Sequence, residues 1–172
     1  MKISKQRWEV AQKYEKSEWN AHSNVETEEW EENVRKYSKY FEKLEKKLKV
    51  TKSWRILDIG CNSTCVSRLI KLGKHLGVDP LANDFDMDNK VPEVKIFQGM
   101  GEDMGFIESD SINLIICRNV IDHSFNPSQV INEVRRVLKK DGYFMLAGYV
   151  YNPFIWFIKT IGERLVFLRN VG

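Results

Sequence analysis

Short apolar segments alternate with segments of helical character between residues 54 and 149, and this alternation limits the possible folds more than any other feature. Five segments have the length and composition of buried strands, and they are residues 54–59, 75–79, 94–97, 112–117 and 143–149. Helices are predicted for residues 63–72 and 126–138, and Asp141 and Gly142 indicate a turn before the last strand. Because strands separated by helices form parallel sheets with right-handed crossovers, we predict an α/β fold. It is a doubly wound, mostly parallel sheet with helices on both faces.

The chain has 172 residues, which is enough for one domain with its own core. We divide it into an N-terminal helical segment or lid (1–50), a core (51–149) and a hydrophobic helical tail (150–172). Apolar residues recur at helical spacing within residues 33–49, which predicts a helix that lies on the domain. Tyr14 and Trp19 are candidate lid residues, and the alternative is that both aromatic rings pack on the domain.

The composition argues against several classes of function. Twenty-seven basic and 24 acidic residues leave a net charge of +3, too small to indicate a nucleic-acid partner. There is no secretory signal and no apolar run of the roughly 18 residues that a membrane span requires. Three cysteines without a cluster of other ligands predict neither a disulfide framework nor a metal site. We therefore expect a cytoplasmic protein.

Polar and small residues follow the first two strands, where such folds bind ligands. Gly60 lets a backbone approach a ligand closely, and Asn62 tolerates a positive φ. The helix predicted after this turn would direct free N–H groups toward whatever is bound. Asp79 ends the second strand 21 residues after Asp58, where a carboxylate can accept both hydroxyl hydrogens of an adenosine ribose.

This spacing alone leaves two adenosine cofactors open, a nicotinamide dinucleotide and S-adenosylmethionine (SAM). A dinucleotide site favours a G-x-G-x-x-G turn on which the pyrophosphate lies. Here only Gly60 is present, with Asn62 and Cys65 at the other two positions. The turn therefore favours SAM, which has no phosphate.

Five motifs in order resemble the class I SAM-dependent methyltransferases, of the type 11-like kind. They are I-L-D-I-G-C at 56–61, G-V-D-P-L at 77–81, G-E-D-M-G-F at 101–106, N-V-I-D-H at 119–123 and R-R-V-L-K-K-D-G at 135–142. The resemblance covers most of the predicted core and implies a Rossmann-like fold with SAM as the cofactor.

The resemblance also implies a set of cofactor-binding residues. On the methionine side of SAM are Asp58, Gly60, Cys61 and Asn62. At the ribose and adenine are Asp79, Pro80, Leu81, Gly101, Glu102 and Asp103. Arg118 and Asn119 would close the site at the end of the fourth strand.

SAM carries the reactive methyl group, so the protein mainly aligns an acceptor. His123 is the candidate general base, which Asp122 would orient, and the alternative is that His123 only caps or packs in its loop. We expect a small-molecule or a lipid- or sugar-linked acceptor. The alternatives are a truncated, non-catalytic SAM-binding or oligomerising domain and a nicotinamide-dependent enzyme.

The family resemblance implies two further strands after the fifth, and only 23 residues follow Tyr149. We therefore expect a C-terminally truncated chain that lacks the last two strands. An uncovered edge strand can pair with another chain, so a homo-oligomer through the sheet edge or the tail is expected.

Overall fold

The computed structural model describes residues 5–21, 25–84, 86 and 91–148. Helices α1 (Lys5–Ala21) and α2 (Val25–Leu48) come first, and α3 (Pro127–Val137) follows the fourth strand. The strands are β1 (Arg55–Ile59), β2 (Lys74–Asp79), β3 (Val94–Gln98), β4 (Ile112–Arg118) and β5 (Leu138–Ala147). The predicted tail, residues 150–172, lies outside the described residues.

The five strands form one parallel sheet in the order β3-β2-β1-β4-β5. The α/β prediction is confirmed. The chain winds from β1 outward to β3, then crosses back and continues from β4 to β5. The direction of winding therefore reverses between β1 and β4, and sheets of this kind bind ligands at the carboxyl ends of the strands beside such a reversal.

Helices cover both faces of the sheet, as predicted. On one face, Phe41 of α2 packs with Ile56 of β1 and Leu114 of β4. On the other, Val130 and Val134 of α3 pack with Leu57 of β1. Because successive strand residues point to opposite faces, Ile56 and Leu57 enter different halves of the core.

The helix predicted for residues 63–72 is wrong, because the structure has only a 3₁₀ turn at Val66–Leu69. Asn62 and Cys65 both have φ of 41°, which a right-handed helix does not allow. The Asn62 side chain also accepts a hydrogen bond from the backbone N–H of Thr64 at 2.6 Å. Such a side-chain hydrogen bond competes with the backbone hydrogen bonds of a helix. The two positive φ angles and this hydrogen bond together prevent an α-helix from forming here.

β5 begins earlier than predicted. Ile112 pairs with Leu138, but Leu114 pairs with Tyr143, so β5 carries extra residues between these two positions. The predicted turn at Asp141 and Gly142 therefore lies inside an irregular part of the strand. Among the described residues β5 is the last strand and forms one edge of the sheet. Within the same residues, no helix has both the length and the apolar character needed to cross a bilayer.

Candidate cofactor-binding site

A cavity of about 380 Å³ opens at the carboxyl ends of the central strands, beside the reversal of winding. It brings together most of the predicted site residues, namely Gly60, Asn62, Asp79, Pro80, Leu81, Gly101, Glu102, Arg118, Asn119 and His123. Three predicted residues, Asp58, Cys61 and Asp103, do not contribute to its lining.

Asp79 lies at the end of β2 with only 7% of its surface exposed. Its Oδ2 accepts the backbone N–H of Asn62 at 3.0 Å, and its Oδ1 accepts that of Leu81 at 2.9 Å. Burial raises the pKa of this carboxyl, and the two backbone N–H groups partly counteract the rise. A carboxylate has about four acceptor sites, so Asp79 is held in place and can still accept two further hydrogen bonds from a ligand.

Gly60 forms the turn between β1 and Asn62. Its φ is +65°, and its N–H donates to the carbonyl of Val78 on β2 at 2.8 Å. A Cβ at this position would lie 2.3 Å from Cγ2 of Val120, which follows β4. Glycine is therefore required both by the backbone conformation and by the close approach of the β4 loop.

Asp58 lies under the turn rather than in the cavity. It is 2% exposed, and its Oδ2 accepts the backbone N–H of Ser67, in the 3₁₀ turn, at 2.8 Å. Burial raises the pKa of this carboxyl from 3.8 to about 6, and the Ser67 N–H and the Arg118 charge only partly oppose the rise. The prediction of free N–H groups after β1 is thus wrong for Ser67 and for Thr64, because Asp58 and Asn62 accept them.

The other two residues outside the lining have different surroundings. Cys61 is buried in an apolar cluster with Cys65, Leu81 and their neighbours. Asp103 is exposed, and its carboxylate accepts the N–H of Gly105 at 3.4 Å. Of the acidic pair after β3, only Glu102 faces the cavity, and it also accepts the N–H of Asn126 at 2.9 Å, just before α3.

Arg118 provides positive charge at the end of β4. Its guanidinium lies 5.1 Å from the centroid of the Tyr37 ring on α2. Its Nε is buried and has no hydrogen-bond partner among the described residues. Asn119, with φ of 55°, follows it and donates its N–H to Ala147 at 2.8 Å. Arg118 thus carries one buried donor that is unsatisfied within the described part of the chain.

Sequence reasoning missed the part of the cavity that α1 and α2 build. Trp8, Gln12 and Glu15 line it from α1, and α2 contributes four residues, Glu32, Asn33, Lys36 and Tyr37. Positions 8, 12 and 15 have helical spacing, but two of the three are polar, so no apolar stripe marks this face in the sequence. The Tyr14 side chain is 66% exposed, and the Trp19 side chain lies outside the described structure.

Glu15 places a further carboxylate on the cavity that Asp79, Glu32 and Glu102 also line. Its Oε2 accepts a hydrogen bond from Nε2 of Gln12 at 3.3 Å. Although Glu15 is exposed, partial loss of hydration of its carboxyl and then the charge of Asp79 raise its pKa, whereas His123 and the Gln12 amide lower it. The next residue, Lys16, forms an ion pair with Asp84, beyond the end of β2, at 2.5 Å.

His123 also lines the cavity, on the loop after β4. Its Nε2 lies 3.7 Å from Oδ2 of Asp122, and the side chains are 66% and 57% exposed. The imidazole is thus at the open side of the cavity, next to a carboxylate that can orient it.

The comparisons with known proteins agree with this geometry. Residues 57–146 match the family described as "Methyltransferase domain". The chain is 33% identical over 107 residues to the uncharacterized methyltransferase YcgJ of Bacillus subtilis (strain 168). This alignment covers 58% of this chain and 42% of YcgJ. The crystal structure of YcgJ aligns with a TM-score of 0.51 at 29% identity, over 62% of this chain and 48% of that one.

A more distant relative shows the fold alone. The crystal structure of a candidate SAM-dependent methyltransferase of Methanococcus maripaludis aligns with a TM-score of 0.63 at 17% identity, over 77% of this chain and 63% of that one. The chain spans less than half the length of YcgJ. With the matched family covering more than half of its residues, the chain belongs to the class I SAM-dependent methyltransferase family, whose cofactor is SAM.

Proposed function

We propose that this domain binds SAM in the cavity at the carboxyl ends of the strands and transfers its methyl group to a small-molecule or a lipid- or sugar-linked acceptor. The observation that carries the proposal is the position of Asp79. Its carboxylate is fixed by two backbone N–H groups beside the cavity and retains acceptor capacity for both ribose hydroxyls.

The remaining lining residues fit the other parts of SAM. Gly60 and Asn62 would lie beside the methionine part, with Pro80, Leu81 and Glu102 near the adenine. The Nε of Arg118, which has no hydrogen-bond partner among the residues that the structure describes, would donate to an acceptor group such as the cofactor carboxylate. Asp58 would not contact SAM directly, and it would instead hold in place the turn that forms the methionine side of the cavity.

The turn after β1 also argues against the nicotinamide alternative. A dinucleotide places its pyrophosphate on free N–H groups at the start of a helix. Here the N–H groups of Thr64 and Ser67 are bonded to side chains of the protein, and only a 3₁₀ turn follows. The site therefore suits a cofactor without a pyrophosphate.

For catalysis, SAM supplies a methyl group on a positively charged sulfur, and its transfer needs an aligned acceptor. His123 would accept a proton from an acceptor that must lose one, with Asp122 orienting its imidazole. The N-terminal segment, residues 1–50, would form a lid, because α1 contributes Trp8 to the lining of the cavity.

Two measurements test the proposal. Calorimetric titration should show that the chain binds SAM and its demethylated product, S-adenosylhomocysteine (SAH), and does not bind NADH. Methyl transfer from labelled SAM to a panel of small-molecule, lipid-linked and sugar-linked acceptors should yield a labelled product, and His123→Ala should reduce it. Binding of NADH without SAM would contradict the assignment of the cofactor. SAM binding without transfer to any acceptor class would favour the non-catalytic alternative.

A further inference from the structure

A series of hydrogen bonds connects helix α2 with the carboxylate of Asp79. On α2, Nδ2 of Asn33 donates to Oγ1 of Thr64 at 3.4 Å. The Thr64 hydroxyl donates in turn to Oδ1 of Asn62 at 2.6 Å, and the backbone N–H of Asn62 donates to Oδ2 of Asp79 at 3.0 Å. Asn33, Thr64 and Asp79 are all buried. The four residues therefore form one continuous network between a helix and the carboxylate assigned to the ribose.

The Thr64 hydroxyl uses both of its hydrogen-bonding functions in this network. An amide oxygen can only accept, whereas a hydroxyl donates one hydrogen and also accepts. Oδ1 of Asn62 accepts both the backbone N–H and the hydroxyl of Thr64, each at 2.6 Å. The hydroxyl hydrogen is thus used on Asn62, and the hydroxyl oxygen accepts the amide of Asn33. Loss of this hydroxyl would leave Asn62 with one donor fewer and would deprive Asn33 of this acceptor.

Asn62 needs such support because of its backbone conformation. Its φ is 41°, in the left-handed region that few residues other than glycine adopt. A residue keeps a conformation of this kind only where its surroundings hold it there. In this conformation the N–H of Asn62 donates to Asp79, and the side chain of the same residue is held by Thr64. A weaker hold on the side chain would therefore place the N–H less accurately against the carboxylate.

We propose that Thr64 is a positioning residue, which acts through Asn62 to fix the carboxylate of Asp79 for the ribose of SAM. This inference rests on the proposed function. Thr64 is not among the residues that line the cavity, so its effect on SAM is indirect. Asn33 extends the network to α2, which Phe41 packs onto the sheet. The position of α2 on the sheet and the orientation of the ribose carboxylate are therefore coupled.

The first test is the affinity for SAM of variants that change only this hydroxyl. Thr64→Val keeps the shape of the side chain, and calorimetric titration should show a dissociation constant for SAM that is raised about three- to tenfold, as expected for the loss of one buried hydrogen bond. Thr64→Ser keeps the hydroxyl and should stay within about twofold of wild type. Thr51→Val, which removes an exposed hydroxyl outside the cavity lining, is the matched control and should bind SAM as wild type does.

The second test asks whether the effect passes through Asp79. In an Asp79→Ala background, adding Thr64→Val should change the dissociation constant for SAM by less than about twofold, because no carboxylate remains for Asn62 to hold. An equal loss of affinity in both backgrounds would overturn the proposal, since Thr64 would then shape the turn without acting on Asp79. Circular dichroism of each variant establishes that the domain is folded.

Failure of this inference and failure of the proposed function give different results. A wild-type chain that binds SAM, together with a folded Thr64→Val protein that binds it equally well, would overturn the role of Thr64 alone. A wild-type chain that does not bind SAM would overturn the proposed function, and the role of Thr64 with it.

Discussion

Asp58, the penultimate residue of β1, and Asp79, the last residue of β2, lie near the ends of adjacent strands, yet the structure gives the two carboxylates different surroundings. Asp79 faces the cavity, whereas Asp58 points under the turn and accepts the N–H of Ser67. The spacing of the two residues in the sequence was sufficient to predict that both lie near the site. It was not sufficient to predict their directions, because these depend on a 3₁₀ turn that the sequence pattern did not indicate.

The buried charge of Asp58 should make stability depend on pH. Its pKa is raised in the folded state from 3.8 to about 6, so the folded protein binds this proton more tightly than the unfolded chain. The stabilising effect of protonation is therefore present below about pH 3.8 and is lost as the pH rises through about 6. Asp58→Asn keeps an oxygen acceptor for Ser67 and removes the charge.

We expect the free energy of unfolding of wild type relative to Asp58→Asn to fall by roughly 2–3 kcal/mol between about pH 4 and pH 7. Urea titrations of both proteins across this range measure the difference. A difference that stays constant with pH would mean that Asp58 titrates normally in the folded protein.

Gly60→Ala should destabilise the domain by about 3 kcal/mol, because the new Cβ meets Val120 at 2.3 Å and φ is +65°. Adding Val120→Ala should recover part of the loss by removing the clash and leaving the backbone strain. Gly105→Ala is the control, since the nearest atom to its Cβ is 3.5 Å away. Thermal unfolding compares the variants, and equal stability of Gly60→Ala and Gly105→Ala would refute the stated need for glycine.

At the scale of the elements, prediction succeeded where burial decides the structure and failed where polar contacts decide it. β4 was predicted within one residue, because its apolar run fits a central parallel strand. The segment after β1 has helix-compatible residues, but the side chains of Asn62 and Asp58 accept its N–H groups and favour a turn. The spacing of apolar residues in the sequence does not reveal such side-chain hydrogen bonds.

Helix α3 is joined to the loop between β3 and β4 by a charged network. Arg136 donates to the carbonyls of Ile107 at 2.9 Å and Met104 at 2.8 Å, and it pairs with Glu133 at 2.8 Å. Glu133 in turn accepts the N–H of Met104 at 2.8 Å. This network fixes the loop that carries Glu102 to the cavity.

Arg136→Met should therefore lower the free energy of unfolding by about 2 kcal/mol, since it removes the hydrogen bonds to the carbonyls of Met104 and Ile107 and the ion pair with Glu133. Arg135→Met, at the exposed neighbouring position of the same helix, should change it by less than about 0.5 kcal/mol. Chemical denaturation of the two variants measures both values. Similar losses in both would mean that the network does not contribute to stability.

For the whole molecule, the parallel sheet and the position of its ligand site could be predicted from the order of strands and helices. The contribution of α1 could not, because Gln12 and Glu15 leave its cavity face without an apolar stripe, and because local spacing does not reveal a tertiary contact such as the ion pair of Lys16 with Asp84. The motifs likewise give no information about the methyl acceptor, because the residues in them that line the cavity are those expected to bind the cofactor.

The central claim is that Asp79 holds the ribose of SAM, and titration of Asp79→Asn with SAM tests it most directly. Asp141→Asn, an exposed carboxylate in β5, is the control. Because the variant loses a charged acceptor for the ribose hydroxyls, we predict that its dissociation constant for SAM rises at least about tenfold, with a folded circular dichroism spectrum. The control should bind SAM as wild type does. An Asp79→Asn protein that binds SAM with wild-type affinity would contradict the account.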